Sequence, residues 1–412
     1  MRMLPVLVVA GVAAAASAAA PADTGDAAIA ALVAKEMPRV VTWRRDFHQH
    51  PELSNRELRT SGIVAEHLRR LGLEVKTGVA KTGVVAMLEG GRPGPTVALR
   101  ADMDALPVVE KADVPFRSTV TTTYQGDTVG VMHACGHDAH TAILMGVAEI
   151  LAGLRADLPG KVLFIFQPAE EGPPDGEDGG APLMLKDGVF ASGKPDALFG
   201  LHVFSTLPAG VIGYRPGPFM AGSDGFRLVV TGRQTHGARP WAGLDPIVVS
   251  SQIISALQTV VSRQIDLTQN PAIVTVGTIR GGTRGNIIPD TVEMRGTLRT
   301  YDPAQRTDVL ARVERTVTHI AAASGATAKF ELTGRPNPVT VNDTVLTQRA
   351  VPALARVVGE GKLREIGLQT PSEDFSYFAR EVPSLFFFVG VARPGVPAGE
   401  IADNHSPLFY ID

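Results

Sequence analysis

Cys135, the one cysteine of the chain, stands two residues before His137, and Asp138 and His140 follow in the run Met132 to Gly146, MHACGHDAHTAILMG. A thiolate and an imidazole at i and i+2, opening an apolar run of helical character, put two metal-ligand types on one short turn. The same residues also suit a helix start with polar caps and a buried, inert cysteine, so this stretch alone leaves both readings open. The apolar run Lys161 to Phe166 ends in Gln167-Pro168-Ala169-Glu170-Glu171-Gly172. Two adjacent carboxylates after a buried strand are unusual for packing, since each needs its own partner. The buried-strand pattern Ala197 to Leu201 delivers His202 at its end, and Asn404-His405-Ser406-Pro407 holds a loop histidine that packing does not require. Cys, His, Glu and His thus arrive from separate turns and strand ends, and that convergence points to a divalent-metal centre.

Two further groups stand nearby in the pattern. Asp102 and Asp104 follow the run Val97 to Leu99, where open α/β sheets place their ligand sites. They are read as facing opposite ways, so that one of the pair serves a given site. His48 and His50, between Arg44 and Glu52, suit a packed, charged turn better than ligation.

The elements that must position these residues exceed one typical core, since the chain has 412 residues. A charged content of 20% and a net charge of -3 describe an ordinary globular protein and give no reason to expect nucleic acid or an anionic membrane as partner. One cysteine rules out an internal disulfide. Residues 1–20 read as an export signal: Arg2, an apolar run from Leu4 to Ala16, then Ala18-Ala19-Ala20 before Pro21. The expected mature protein is exported, periplasmic or secreted, with no membrane contact after cleavage. A metal-held thiolate is one reason to tolerate a free cysteine there.

After helical segments up to Gly72, strands and helices alternate to about residue 215. From about Pro216 the pattern changes. Strands at 224–230, 273–279, 291–299 and 327–332 enclose two helices, each opened by an Asp-Pro pair, Asp245-Pro246 and Asp302-Pro303. Asp caps free N–H groups and Pro fits the first helical position. The first helix is expected to bury Ile247, Ile254, Leu257 and Val261, the second Val309, Val313, Val317 and Ile320. The order β-α-β-β-α-β is the ferredoxin-like pattern. The domain reading is 21–215 and 332–412 for one α/β catalytic domain, with 216–331 inserted.

The segments HACGHDAH, QPAEEG, GLHV, SEDF and NHSP, in that order, resemble the amidohydrolase branch of the dinuclear aminoacylase/carboxypeptidase family of metallopeptidases. That branch includes hippurate hydrolases and plant hydrolases of auxin–amino acid conjugates. The resemblance spans essentially the whole mature chain. It implies an α/β, two-domain fold: an α/β/α zinc-peptidase-like catalytic domain with an inserted ferredoxin-like (βαββαβ) lid and dimerisation domain. It implies two divalent ions, zinc or manganese, held by Cys135, His137, Glu171, His202 and His405, with the cysteine bridging. Glu170 would be the general base, and Asp104 a carboxylate behind the ligands that orients one of them, although a strand-end cap would use the same residue.

His236 matches a lid histidine that reaches the partner subunit's active site and steadies the oxyanion. Gln234 and Thr235 stand where the commoner pattern has a glycine pair. Asn286 matches a polar lid residue near the substrate, and Asn after Gly285 is equally good turn chemistry. The implied activity is hydrolysis of the amide bond of N-acyl amino acids or similar small amides with a free carboxylate, by a metal-bound water, in a homodimer joined through the lid. An exported metallocarboxypeptidase acting on peptides, and a non-catalytic metal-binding protein, are the alternatives. The spare carboxylate at Glu170 disfavours the latter.

Overall fold

The computed structural model describes residues 24–411; the export signal read at 1–20 lies outside the described residues. Two helices open the chain, α1 (Thr24–Gln49) and α2 (Leu58–Arg70). The chain leaves α2 through Gly72, whose φ of 72° is easily reached without a Cβ. A hairpin of β1 (Glu74–Val79) and β2 (Gly83–Glu89) precedes β3 (Arg92–Asp102) and a small ribbon, β4 (Thr121–Tyr124) with β5 (Asp127–Gly130). Then come α3 (His137–Gly153), β6 (Pro159–Gln167), α4 (Gly180–Lys186), β7 (Ala197–Pro208), β8 (Ile212–Tyr214) and β9 (Gly217–Met220).

The inserted unit follows. It runs β10 (Gly222–Thr231), β11 (Thr235–His236), α5 (Pro246–Gln264), β12 (Ile273–Gly281), β13 (Ile287–Ile288), β14 (Thr291–Thr300), α6 (Pro303–Ala323) and β15 (Thr327–Asn337). The return segment adds β16 (Thr340–Asn342), α7 (Thr344–Val358), β17 (Leu363–Glu365), α8 (Phe375–Ala379) and β18 (Ser384–Ala392). No described helix is long and apolar enough to cross a membrane.

Eight strands form the main sheet in the order β1-β2-β6-β3-β7-β18-β8-β17. Its centre is parallel: β3 pairs in parallel with β6 and β7, and β18 pairs in parallel with β7. Both faces are covered, which is why the central strands read as continuous apolar runs instead of alternating. Phe164 and Phe166 of β6 pack with α2 and α3 residues such as Leu68 and Met145, while Leu163 and Ile165 pack on the opposite side with Met184 of α4 and Phe378 of α8.

The second sheet, β12-β14-β10-β15, is antiparallel, with α5 and α6 on one face. Asp245 and Asp302 cap these helices, accepting from Ile247 and Val248 N–H and from Gln305 N–H. The buried stripe of α5 is Val249, Ile253, Leu257 and Val260, and Ile247 is 43% exposed. The expected stripe is therefore displaced by about one residue: Ile254 and Val261 lie on its flank, half-buried, and Ile247 sits in the first turn. In α6 the stripe holds, with Ala321 fully buried beside the half-buried Ile320. The two connections into this unit lie side by side, because β9 and β16 pair antiparallel. That pairing lets a long insertion leave β7 and β18 free to meet in register, Phe388 opposite His202.

Candidate metal centre and active site

Because β6, β3 and β7 are parallel neighbours, their C-terminal ends share one sheet edge, where such sheets gather ligand groups. Asp102 ends β3 opposite Gln167 of β6, and Glu170 and Glu171 lie just beyond. His202 lies inside β7, which continues to Pro208, so it is not the strand end expected from the apolar run. Cys135 and His137 reach the same place at the start of α3. Gly136 between them has φ 96°, and a Cβ there would meet Val203 Cγ2 at 2.3 Å, so glycine is required for this turn.

The structure brings Cys135, His137, Glu171, His202 and His405 together. The Cys135 Sγ lies 3.3 Å from His202 Nε2 and 3.3 Å from His405 Nε2. His405 Nε2 is 3.1 Å from Glu171 Oε1, and His137 Nε2 is 4.0 Å from the same oxygen. Two ligand groups result, Cys135 with His137 and His202, and Cys135 with Glu171 and His405; they share the sulfur. The C-terminal loop is pinned over the centre: His405 N–H donates to Ala134 O at 2.8 Å, and Asn404 Nδ2 to the carbonyls of Cys135 and Val203.

These residues fit divalent ions. His137 Nε2 is buried with no hydrogen-bond partner, and the buried Oε1 of Glu171 meets only the imidazoles of His405 and His137. His202 donates Nδ1–H to the Val203 carbonyl at 2.7 Å, which leaves Nε2 free toward the sulfur. Burial, with Glu171 and Glu170 close by, pushes the Cys135 thiol well up. Burial opposes charge on His137, yet Asp102 and Asp104 lift it to about 10. The cluster is thus rich in negative charge and short of cations, which a pair of divalent ions would supply.

The two aspartates face the same cluster, which corrects the expectation that they would divide. Residues two apart share a side of an extended chain. Asp102 Oδ2 lies 3.7 Å from His137 Nε2, and Asp104 Oδ1 lies 3.3 Å from His137 Nδ1. Asp104 also accepts the N–H groups of Glu170 and Glu171 at 3.0 Å each and the Ser54 hydroxyl at 2.7 Å. His140 is close but spent: Nδ1–H donates to Asp102 at 2.6 Å, and Nε2 accepts Val203 N–H at 2.9 Å.

Sequence reasoning assigned no role to Arg100, which is 3% exposed and bonds Asp102, Gln167, Glu373 and Asp374. The SEDF and QPAEEG segments were legible as motifs, but nothing local tied them to an arginine in β3. His236 and Asn286, both exposed, are brought to each other where β11 pairs with β13, and Gly237 N–H donates to Asn286 O at 2.8 Å. Neither lines the cavity of about 540 Å³ that opens on Cys135, Glu170, Glu171, His202 and His405 of the same chain.

His50 is exposed and donates to the Asp46 carbonyl. His48 is 1% exposed, between Asp138 Oδ2 at 2.9 Å and Glu110 Oε1 at 3.0 Å, and Arg44 joins Asp138 at 2.8 Å. Asp138 therefore points away from the metal cluster and anchors the start of α3.

A family model described as peptidase family M20/M25/M40 matches residues 98–411. A thermostable carboxypeptidase of Saccharolobus solfataricus is 42% identical over 374 residues, covering 90% of each chain. An N-acetyl-L-cysteine deacetylase of Bacillus subtilis is 39% identical over 372 residues, 90% of this chain and 82% of its own. Among solved structures, a dinuclear metal-binding peptidase of the M20 family from Bacillus subtilis superposes with a TM-score of 0.75 at 36% identity, covering 91% of this chain and 92% of its own.

The His48 contacts generate a stability prediction. Burial opposes its protonation, but Asp138 and Glu110 more than offset this and raise the pKa from 6.5 to about 9. A raised folded-state pKa contributes stability below pH 6.5 that is lost as pH rises through 9, on the order of 3 kcal/mol for this group. The unfolding temperature of His48→Gln should fall furthest below wild type near pH 6, and the gap should narrow by pH 10. A gap independent of pH would mean that His48 is neutral in the folded protein.

Proposed function

The chain belongs to peptidase family M20/M25/M40 and is a metal-dependent amidohydrolase or peptidase; on that premise we propose that it hydrolyses the amide bond of N-acyl amino acids or similar small amides with a free carboxylate. The observation that carries this reading is Glu170, a carboxylate on the cavity wall beside Glu171 and within the group His137, Glu170 and Glu171. A purely binding centre has no use for that spare group.

Cys135, His137, Glu171, His202 and His405 would hold two divalent ions, zinc or manganese. When bound, such ions polarise a carbonyl and make water acidic enough to act near neutral pH. Glu170 takes the proton of the attacking water and returns it to the leaving nitrogen. Asp104 holds the backbone of both glutamates, so Glu170 does not drift toward the ligand position of its neighbour. His236 of the partner subunit, a side chain left exposed on its own chain, would donate to the developing oxyanion, with the exposed Asn286 beside it. This requires a homodimer. The export signal read at 1–20 would place the enzyme in the periplasm or outside the cell.

The cavity supports an apolar group on the substrate. On β7, His202, Phe204 and Thr206 share one side and all line the cavity, running outward from the ligand cluster. The Phe204 ring stacks on Phe388 with centroids 4.2 Å apart, and Met220 continues the wall. A peptide-trimming activity would use the same centre, and the similarity to a carboxypeptidase keeps it as the second reading.

Two outcomes test the proposal. Glu170→Gln should lower kcat by about a hundredfold or more while both ions remain bound, as read by metal analysis of the purified variant; turnover near the wild-type rate would remove Glu170 from the mechanism. Phe204→Ala should lower kcat/KM about tenfold or more for a bulky apolar acyl group relative to acetyl on the same amino acid. An unchanged ratio would place the acyl group elsewhere.

A further inference from the structure

Glu57 is a fully buried carboxylate that the mechanism above does not use. It stands before the first turn of α2, with its side chain turned inward. Both oxygens are taken by neutral donors: Oε1 accepts Ala169 N–H at 2.9 Å, and Oε2 accepts the Thr82 hydroxyl at 2.5 Å. Burying a carboxylate without a cation is costly, so its retention calls for a specific use.

That use is visible in the turn it holds. Ala169 has φ 53°, the left-handed region that a residue with a Cβ enters at a cost. The next two N–H groups, of Glu170 and Glu171, both go to Asp104. Three consecutive backbone donors are therefore claimed by two buried carboxylates, one on each side of the strained residue. Without Glu57 the Ala169 N–H would be buried and unpaired, and the turn could relax to an ordinary φ by rotating the Pro168–Ala169 peptide that carries this N–H.

We propose that Glu57 is a positioning residue for the paired glutamates, fixing through the Ala169 N–H the turn that aims Glu170 at the substrate and Glu171 at the metal. The proposal rests on the roles given to those two residues in the preceding reading. Glu57 touches neither substrate nor ion and acts through the backbone.

The test compares Glu57→Ala and Glu57→Gln in the metal-loaded full chain. Glutamine keeps an acceptor for Ala169 N–H and a group that can pair with Thr82. Glu57→Ala should lower kcat about 10- to 100-fold with KM within about twofold, and weaken zinc affinity, measured by competition with a chelator, by a similar factor. Glu57→Gln should return both to within about threefold of wild type. Wild-type kcat and zinc affinity in Glu57→Ala would overturn the proposal. So would equal losses in both variants that track a lowered unfolding temperature, since that pattern marks a damaged core. If wild-type protein cleaves no N-acyl amino acid or peptide, the functional reading fails instead, and the zinc affinities alone decide the role of Glu57.

Discussion

A guanidinium buried among carboxylates is the constraint on which the centre depends. Arg100, within β3, bonds Asp102 at 2.8 Å, Glu373 at 2.8 Å and Asp374 at 3.3 Å. Breaking such a group leaves uncompensated buried charge, so its members hold one another in place. Asp102 then fixes the tautomer of His140 and faces His137. Glu373 and Asp374 come from the far side of the insertion, and Arg100 fastens that return segment to the middle of the sheet. Arg100 and a protonated His137 face six acidic groups, Asp102, Asp104, Glu170, Glu171, Glu373 and Asp374, and burial with mutual repulsion raises the pKa of Glu170, Glu373 and Asp374. The remaining negative charge is what a dinuclear metal site would balance, and it lies where the thiol and imidazoles converge.

The fold makes this concentration of charge tolerable. Parallel strands bring their C-terminal ends to one edge, and apolar layers on both faces keep that edge rigid. The backbone supplies much of the precision. Gly136 turns the chain between two ligands, Ala169 turns it before the glutamates, and His405 sits in the left-handed region with φ 70°. Strained positions of this kind persist where surrounding contacts over-determine them, as they do here. The inserted sheet stands outside this network except at its two paired connections and at contacts such as Arg299 with Ser372.

Much of the centre was legible in the sequence because its residue types are conspicuous where they fall. A cysteine and a histidine two apart, a pair of glutamates after an apolar run and a histidine in a C-terminal loop stand out against packing. The framework of strands, the inserted β-α-β-β-α-β unit and its Asp-Pro helix starts were legible for the same local reasons. What escaped was whatever depends on distant contact. Arg100 and Asp374 are far apart in the chain, as are Glu57 and Ala169, and no local spacing joins them. The opposed facing of Asp102 and Asp104 was a misreading of the two-residue period. The α5 stripe slipped because the angle at which a helix meets a sheet is set by the partner layer, not by its own sequence.

The most direct test of the account is anomalous scattering from crystals of the metal-loaded protein. Two peaks in each chain, both within bonding distance of the Cys135 sulfur at about 2.3 Å for zinc, are expected. One would be completed by His137 and His202 and the other by Glu171 and His405. A single peak, or two peaks of which neither contacts the sulfur, would contradict the shared-thiolate centre on which the functional reading stands.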